Sequence, residues 1–99
     1  MTKRYALILI AHYRPAWLEL TPTQQHDFLS RMGETARQLG LESIVGYQLT
    51  STPGTFMALW ESADPNAIER AIKNFNAIGL SKYIDARTMI GERGAEEQA

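Results

Sequence analysis

"RYALILIAH", residues 4–12, decides how the rest of the chain is read. Side chains alternate across a strand, so Ala6, Ile8 and Ile10 share one face and Tyr5, Leu7 and Leu9 the other. Both faces are apolar. An antiparallel strand with one side in water would carry a polar residue at every second position, so this one belongs in the middle of a sheet that is covered on both sides. "TFMALWE", residues 55–61, has the same character, with Phe56, Ala58 and Trp60 set against Met57 and Leu59. A fold with two such central strands has to supply cover for both faces.

The intervening sequence supplies cover for one. Thr21-Pro22-Thr23-Gln24 has the form of a helix start: Thr21 is a cap, Pro22 suits the first helical position, and Gln24 completes a capping box. Phe28, Leu29, Met32, Ala36 and Leu39 follow at helical spacing, and Gly40 closes the element where a positive φ is needed. Asp64-Pro65 opens a second helix whose apolar face is Ile68, Ala71, Ile72, Phe75 and Ile78, and Gly79 ends it. Ile44–Thr50 and Tyr83–Ile90 mix apolar and polar residues, as edge strands do. Ser51-Thr52-Pro53-Gly54 is a turn. The order is βαββαβ, an α+β, ferredoxin-like plan with a four-stranded antiparallel sheet. Both helix ends carry Gly-Leu, at 40–41 and 79–80, in keeping with two similar halves.

Composition bounds the function. The chain has 99 residues, 44% apolar and 21% charged, with ten basic and eleven acidic side chains and a net charge of −1. That suits one domain, expected over residues 1–91, followed by a polar, disordered tail from 92 to 99. No basic stripe marks a nucleic-acid or membrane partner. The absence of cysteine excludes disulfides, thiolate nucleophiles and cysteine-ligated metals. The apolar run at the start is too short for export and lacks a cleavage site, so the cytoplasm is the expected location. No Gly-rich phosphate loop or signature around a nucleophilic serine occurs, and no motif calls for a metal or other cofactor.

Two helices cover one face of a four-stranded sheet. The other face would expose a large apolar patch, which monomers rarely tolerate, so a second copy is expected to cover it by two-fold symmetry. This plan resembles the dimeric α/β-barrel superfamily, in which two sheets pack face to face. "RPAWLEL", residues 14–20, and "MALWESAD", residues 57–64, resemble segments of a small, largely uncharacterised branch of it. The resemblance implies a small molecule held in a cleft between sheet and helices. Its members include cofactor-independent monooxygenases acting on polycyclic phenols, muconolactone isomerases, polyketide cyclases and sugar mutarotases, with haem enzymes among larger relatives.

The candidate residues follow. His12 ends the first strand on the face of Ile8 and Ile10, and an imidazole titrates near neutrality, so it is the candidate base. Its plainer role is a polar exit from an apolar strand. Arg14 suits a carboxylate or phenolate. Tyr47 and Tyr83 carry phenols that can orient a substrate oxygen but equally suit packing at half-buried strand positions, and Trp60, near the end of the third strand, is the better candidate for an aromatic wall. Trp17 reads as a packing anchor and His26 as a solvated helix residue. Three functions are compatible with this set. The first is a homodimeric barrel acting as isomerase, cyclase or cofactor-independent monooxygenase on a small apolar or aromatic substrate. The second is a non-catalytic binder of haem or another hydrophobic ligand. The third is a structural or partner-binding dimer.

Overall fold

Alternation in the first strand is resolved as a difference in burial. In the computed structural model, which describes residues 3–93, β1 (Tyr5–Tyr13) buries Leu7, Leu9 and Ala11 completely on one face and leaves Ile8 and Ile10 half-buried on the other. After it come α1 (Pro15–Leu18), α2 (Pro22–Gln38), β2 (Glu42–Gln48), β3 (Thr55–Ser62), α3 (Pro65–Ala77), α4 (Leu80–Tyr83) and β4 (Ile84–Glu92). The sheet order is β2-β3-β1-β4, with every neighbouring pair antiparallel. β1 and β3 are therefore central, and the ferredoxin-like plan read from the sequence is the one observed.

Both long helices lie on the Leu7/Leu9 side. α2 starts with a complete capping box: Gln24 N donates to Thr21 Oγ1 at 3.1 Å, and Thr21 N donates to Gln24 Oε1 at 2.9 Å. Phe28, Met32 and Ala36 bury its inner face. Gly40 then turns at φ 85°, and Leu41 N donates to Ala36 O at 2.9 Å, which packs Leu41 back onto the last turn. In α3, Asp64 Oδ1 accepts from Asn66 N at 2.9 Å, and Ile68, Ala71 and Phe75 face the sheet. Phe75, Leu7, Leu9, Ile68 and Ile84 are the largest fully buried side chains, each worth about 1.5–3 kcal/mol of burial.

Element boundaries differ from the sequence reading at both ends of β2 and of β4. β2 begins at Glu42 rather than Ile44, because the glycine stop at 40–41 feeds the chain straight into the sheet, where Glu42 pairs with Arg4 at 2.6 Å. Leu49 and Thr50 belong to the turn, held by Leu49 N donating to Thr55 O at 2.9 Å. Tyr83 lies in the helical turn α4 rather than in β4: Gly79, at φ 101°, starts that turn and Leu80 is buried in it. β4 runs to Glu92, and Arg93 N bonds to Arg4 O at 2.9 Å. The rest of the expected tail, from residue 94, lies outside the described residues. β2 also carries a bulge between Ser43 and Val45.

The open face of the sheet has an apolar centre and polar ends. Ile8 and Ile10 lie between Leu59 and Met57 of β3 and Met89 and Arg87 of β4, with Val45 and Tyr47 beyond β3. At one end Glu61 is clamped by Arg93, 2.7 Å from each carboxylate oxygen, and by Arg4 Nε at 3.4 Å. The guanidinium of Arg93, and more weakly that of Arg4, holds the Glu61 carboxyl below its ordinary range against the opposing effect of its burial. Among the described residues no helix is long and apolar enough to cross a membrane.

Candidate functional site

A cleft of about 440 Å³ separates α2 from the inner side of β2 and β3. It exists because the residues facing it there are small. Gly33 lies in the middle of α2, and a Cβ built on it meets nothing within 4 Å. Across from it are Ala58 on β3 and, paired with Ala58, Gly46 on β2. The walls are apolar: Phe56 and Trp60 from β3, Leu29 and Met32 from α2, and Leu41 from the joint. Trp60 is 9% exposed and braced from behind by Phe75, ring centroids 5.5 Å apart. A volume of this size with a mostly apolar lining is typical of small-molecule sites.

Polar groups stand at its margin: Arg37, Glu42 and Ser43. Arg37 forms a two-point pair with Glu34, one helical turn back, through Nε at 3.1 Å and through Nη2. Its guanidinium holds the Glu34 carboxyl below the usual range. Glu42 is engaged by Arg4. The cleft can therefore enclose an apolar body and meet a polar group at one end, but none of its deep walls is a proton donor or acceptor.

The sequence candidates do not converge on one site. Trp60 lines the cleft. His12 and Tyr47 lie on the opposite, open face. His12 is exposed, with Nδ1 at 2.7 Å from Thr55 Oγ1, and borders a concavity of about 550 Å³ with Ile10, Asp85, Ala86 and Arg87. Tyr47 is 58% exposed on the edge strand. Arg14 is exposed and pairs with Asp85 at 3.7 Å. Tyr83 packs edge-on against Phe28 and Trp17, at 5.3 and 6.4 Å. Trp17 is the anchor expected of it, stacked on Tyr13 at 4.9 Å, and His26 is exposed on α2. The register of β1 on β3 places His12 and Trp60 on opposite sides of the sheet, so His12, Arg14, a tyrosine and Trp60 are not brought together in one constellation. Sequence reasoning missed Gly33, Arg37, Ser43 and Phe56. The signal for Gly33 was present: a glycine inside a helix costs about 1 kcal/mol and calls for a reason.

No family model matches the sequence, and no curated protein matches it. Solved structures do match in fold. A chlorite dismutase variant from Candidatus Nitrospira defluvii superposes with a TM-score of 0.75 at 10% identity, over 99% of this chain and 44% of that one. SnoaB, a cofactor-independent oxygenase from Streptomyces nogalater, gives 0.63 at 8% identity, over 89% of this chain and 90% of its own. PA3566 from Pseudomonas aeruginosa gives 0.64 at 17% identity, over 96% and 98%. These likenesses show the fold, a ferredoxin-like α+β subunit with a four-stranded antiparallel sheet. The chain spans less than half the length of the chlorite dismutase it matches and most of the other two. Neither histidine of the chain lines the cleft, so its donor set does not fit a haem bound there through an imidazole.

Proposed function

We propose that the protein is a homodimer, paired through its open sheet faces, that binds a small, largely apolar or aromatic molecule in the cleft of each subunit. The observation that carries this is the cleft itself: about 440 Å³ of apolar space walled by Trp60 and Phe56 and left open by Gly33. The dimer rests on Ile8, Ile10, Met57, Leu59, Tyr47 and Met89, which form one apolar surface on the side that no helix covers. Binding is the better supported part, because the deep cleft walls offer nothing to move a proton.

The test is titration with a neutral fluorescent aromatic amine, N-phenyl-1-naphthylamine, followed by its own emission and that of tryptophan. One probe bound per subunit, with the tryptophan response lost in Trp60→Phe and kept in Trp17→Phe, supports the reading. A response kept in Trp60→Phe and lost in Trp17→Phe, or no binding up to the probe's solubility limit, overturns it.

A second reading retains catalysis and is favoured by one contact, Thr55 Oγ1 on His12 Nδ1 at 2.7 Å. With Nδ1–H donating to Thr55 Oγ1, that bond orients the ring beside the open-face concavity and leaves Nε2 to act as the base of an isomerase, cyclase or cofactor-independent oxygenase, in a chamber closed by the second copy, with Arg14 near its edge. Turnover of a phenolic substrate lost in His12→Gln, with probe binding in the cleft unchanged, supports this second reading; turnover insensitive to His12→Gln removes it.

A further inference from the structure

We propose that the ligand of the α2–sheet cleft is an aromatic carboxylate, its ring system between Phe56 and Trp60 and its carboxylate at Arg37. This rests on the reading that the cleft binds small molecules, and adds the chemical class. Phe56 and Trp60 are four residues apart on one face of β3, roughly 13 Å at about 3.3 Å per residue, and Ala58 between them leaves the gap unfilled. Two aromatic walls around a gap favour a flat ring system over a branched aliphatic one.

The charge follows from the margin. Among the described residues, Arg37 is the only cationic one lining the cleft. Its bonds to Glu34 use Nε and Nη2, and the two N–H groups of Nη1 have no protein acceptor among the described residues. A guanidinium has five donors, so a second carboxylate can dock without displacing the first. The Arg37–Glu34 pair is itself exposed, with 72% of the arginine side chain accessible, and such pairs hold their partners weakly. The one acidic residue on the margin, Glu42, has its charge matched by Arg4 at 2.6 Å. What remains unmatched at the mouth is hydrogen-bonding capacity for an anion.

The experiment compares 2-naphthoate with its neutral isostere 2-naphthamide by isothermal titration at pH 7.5 and low salt, on the wild-type protein and on Arg37→Gln. The expected result is a preference for the acid of about three- to tenfold, the range for a partly exposed charge-assisted bond, abolished in Arg37→Gln, which should bind the two compounds equally. Equal affinity for both compounds overturns the carboxylate assignment while leaving the cleft a binding site. A preference that survives in Arg37→Gln also overturns it. Failure of both compounds and of the neutral amine probe overturns the assignment together with the reading it rests on.

Discussion

Gly33→Leu should separate what this helix does for the fold from what it does for the cleft. Gly33 has helical backbone angles, so leucine introduces no strain, and its Cβ enters space with no atom within 4 Å. Leucine is the better helix former by about 0.5–1 kcal/mol in a helix interior. For a domain near 100 residues, 1 kcal/mol moves the melting temperature by roughly 4–8 °C, so the variant should melt about 2–8 °C higher. The same side chain fills the middle of the cleft, where a ligand would have to overpack against it, at about 1–3 kcal/mol, or roughly five- to a hundredfold in affinity. Circular dichroism melts and titration with 2-naphthamide measure the two effects on one sample. A more stable protein that binds less well is the expected outcome. A melting temperature several degrees lower would mean that the space beside Gly33 is filled, and unchanged affinity would mean that the ligand is elsewhere; either result refutes the reasoning.

Three further outcomes are expected. Leu59→Glu places a charge in the centre of the open apolar face, between Ile8 and Val45; sedimentation should show a dimer for the wild type and a folded monomer for the variant. Phe75→Ala, in the fully buried core behind Trp60, should lower stability by about 3–5 kcal/mol in denaturant melts. Glu61 has its pKa depressed in the folded state, chiefly by Arg93, so its contribution is present above the ordinary glutamate value of about 4.3 and fades as pH falls below it; Glu61→Gln should flatten the decline of melting temperature in that acid range.

Much of the fold was legible because it depends on periodicity. The two-sided runs of β1 and β3 identified the central strands, and Thr21-Pro22 and Gly40 delimited α2 to within a residue or two. The errors fell where no period exists: α1 and α4 are single turns, and Glu42-Ser43 joins the sheet through backbone pairing and the Arg4 contact, which leave no apolar pattern. The site was less legible for a related reason. A cleft is made of missing atoms, and Gly33, Gly46 and Ala58 announce themselves only by lacking side chains. The reactive groups of residues 12–14 are conspicuous by contrast; alternation places His12 beside Ile8 and Ile10, but only the register of β1 on β3 puts Trp60 on the other side.

The bulge in β2 bears on how such a pocket arises and is lost. Before it, Glu42 faces Glu61 and Ser43 faces Trp60; after it, Val45 faces Leu59 and Gly46 faces Ala58, with Ile44 as the unpaired extra residue. Were the strand to run straight with all its residues kept, Ile44 would pair with Leu59 and Val45 with Ala58, exchanging the two sides of the strand beyond that point. Val45 would then oppose Ala58 and close the cavity, while Gly46 would replace an apolar side chain on the surface offered to a second copy. The single extra residue thus couples the two faces: by absorbing one position it keeps Gly46 on the side of the cleft and Val45 and Tyr47 on the open face.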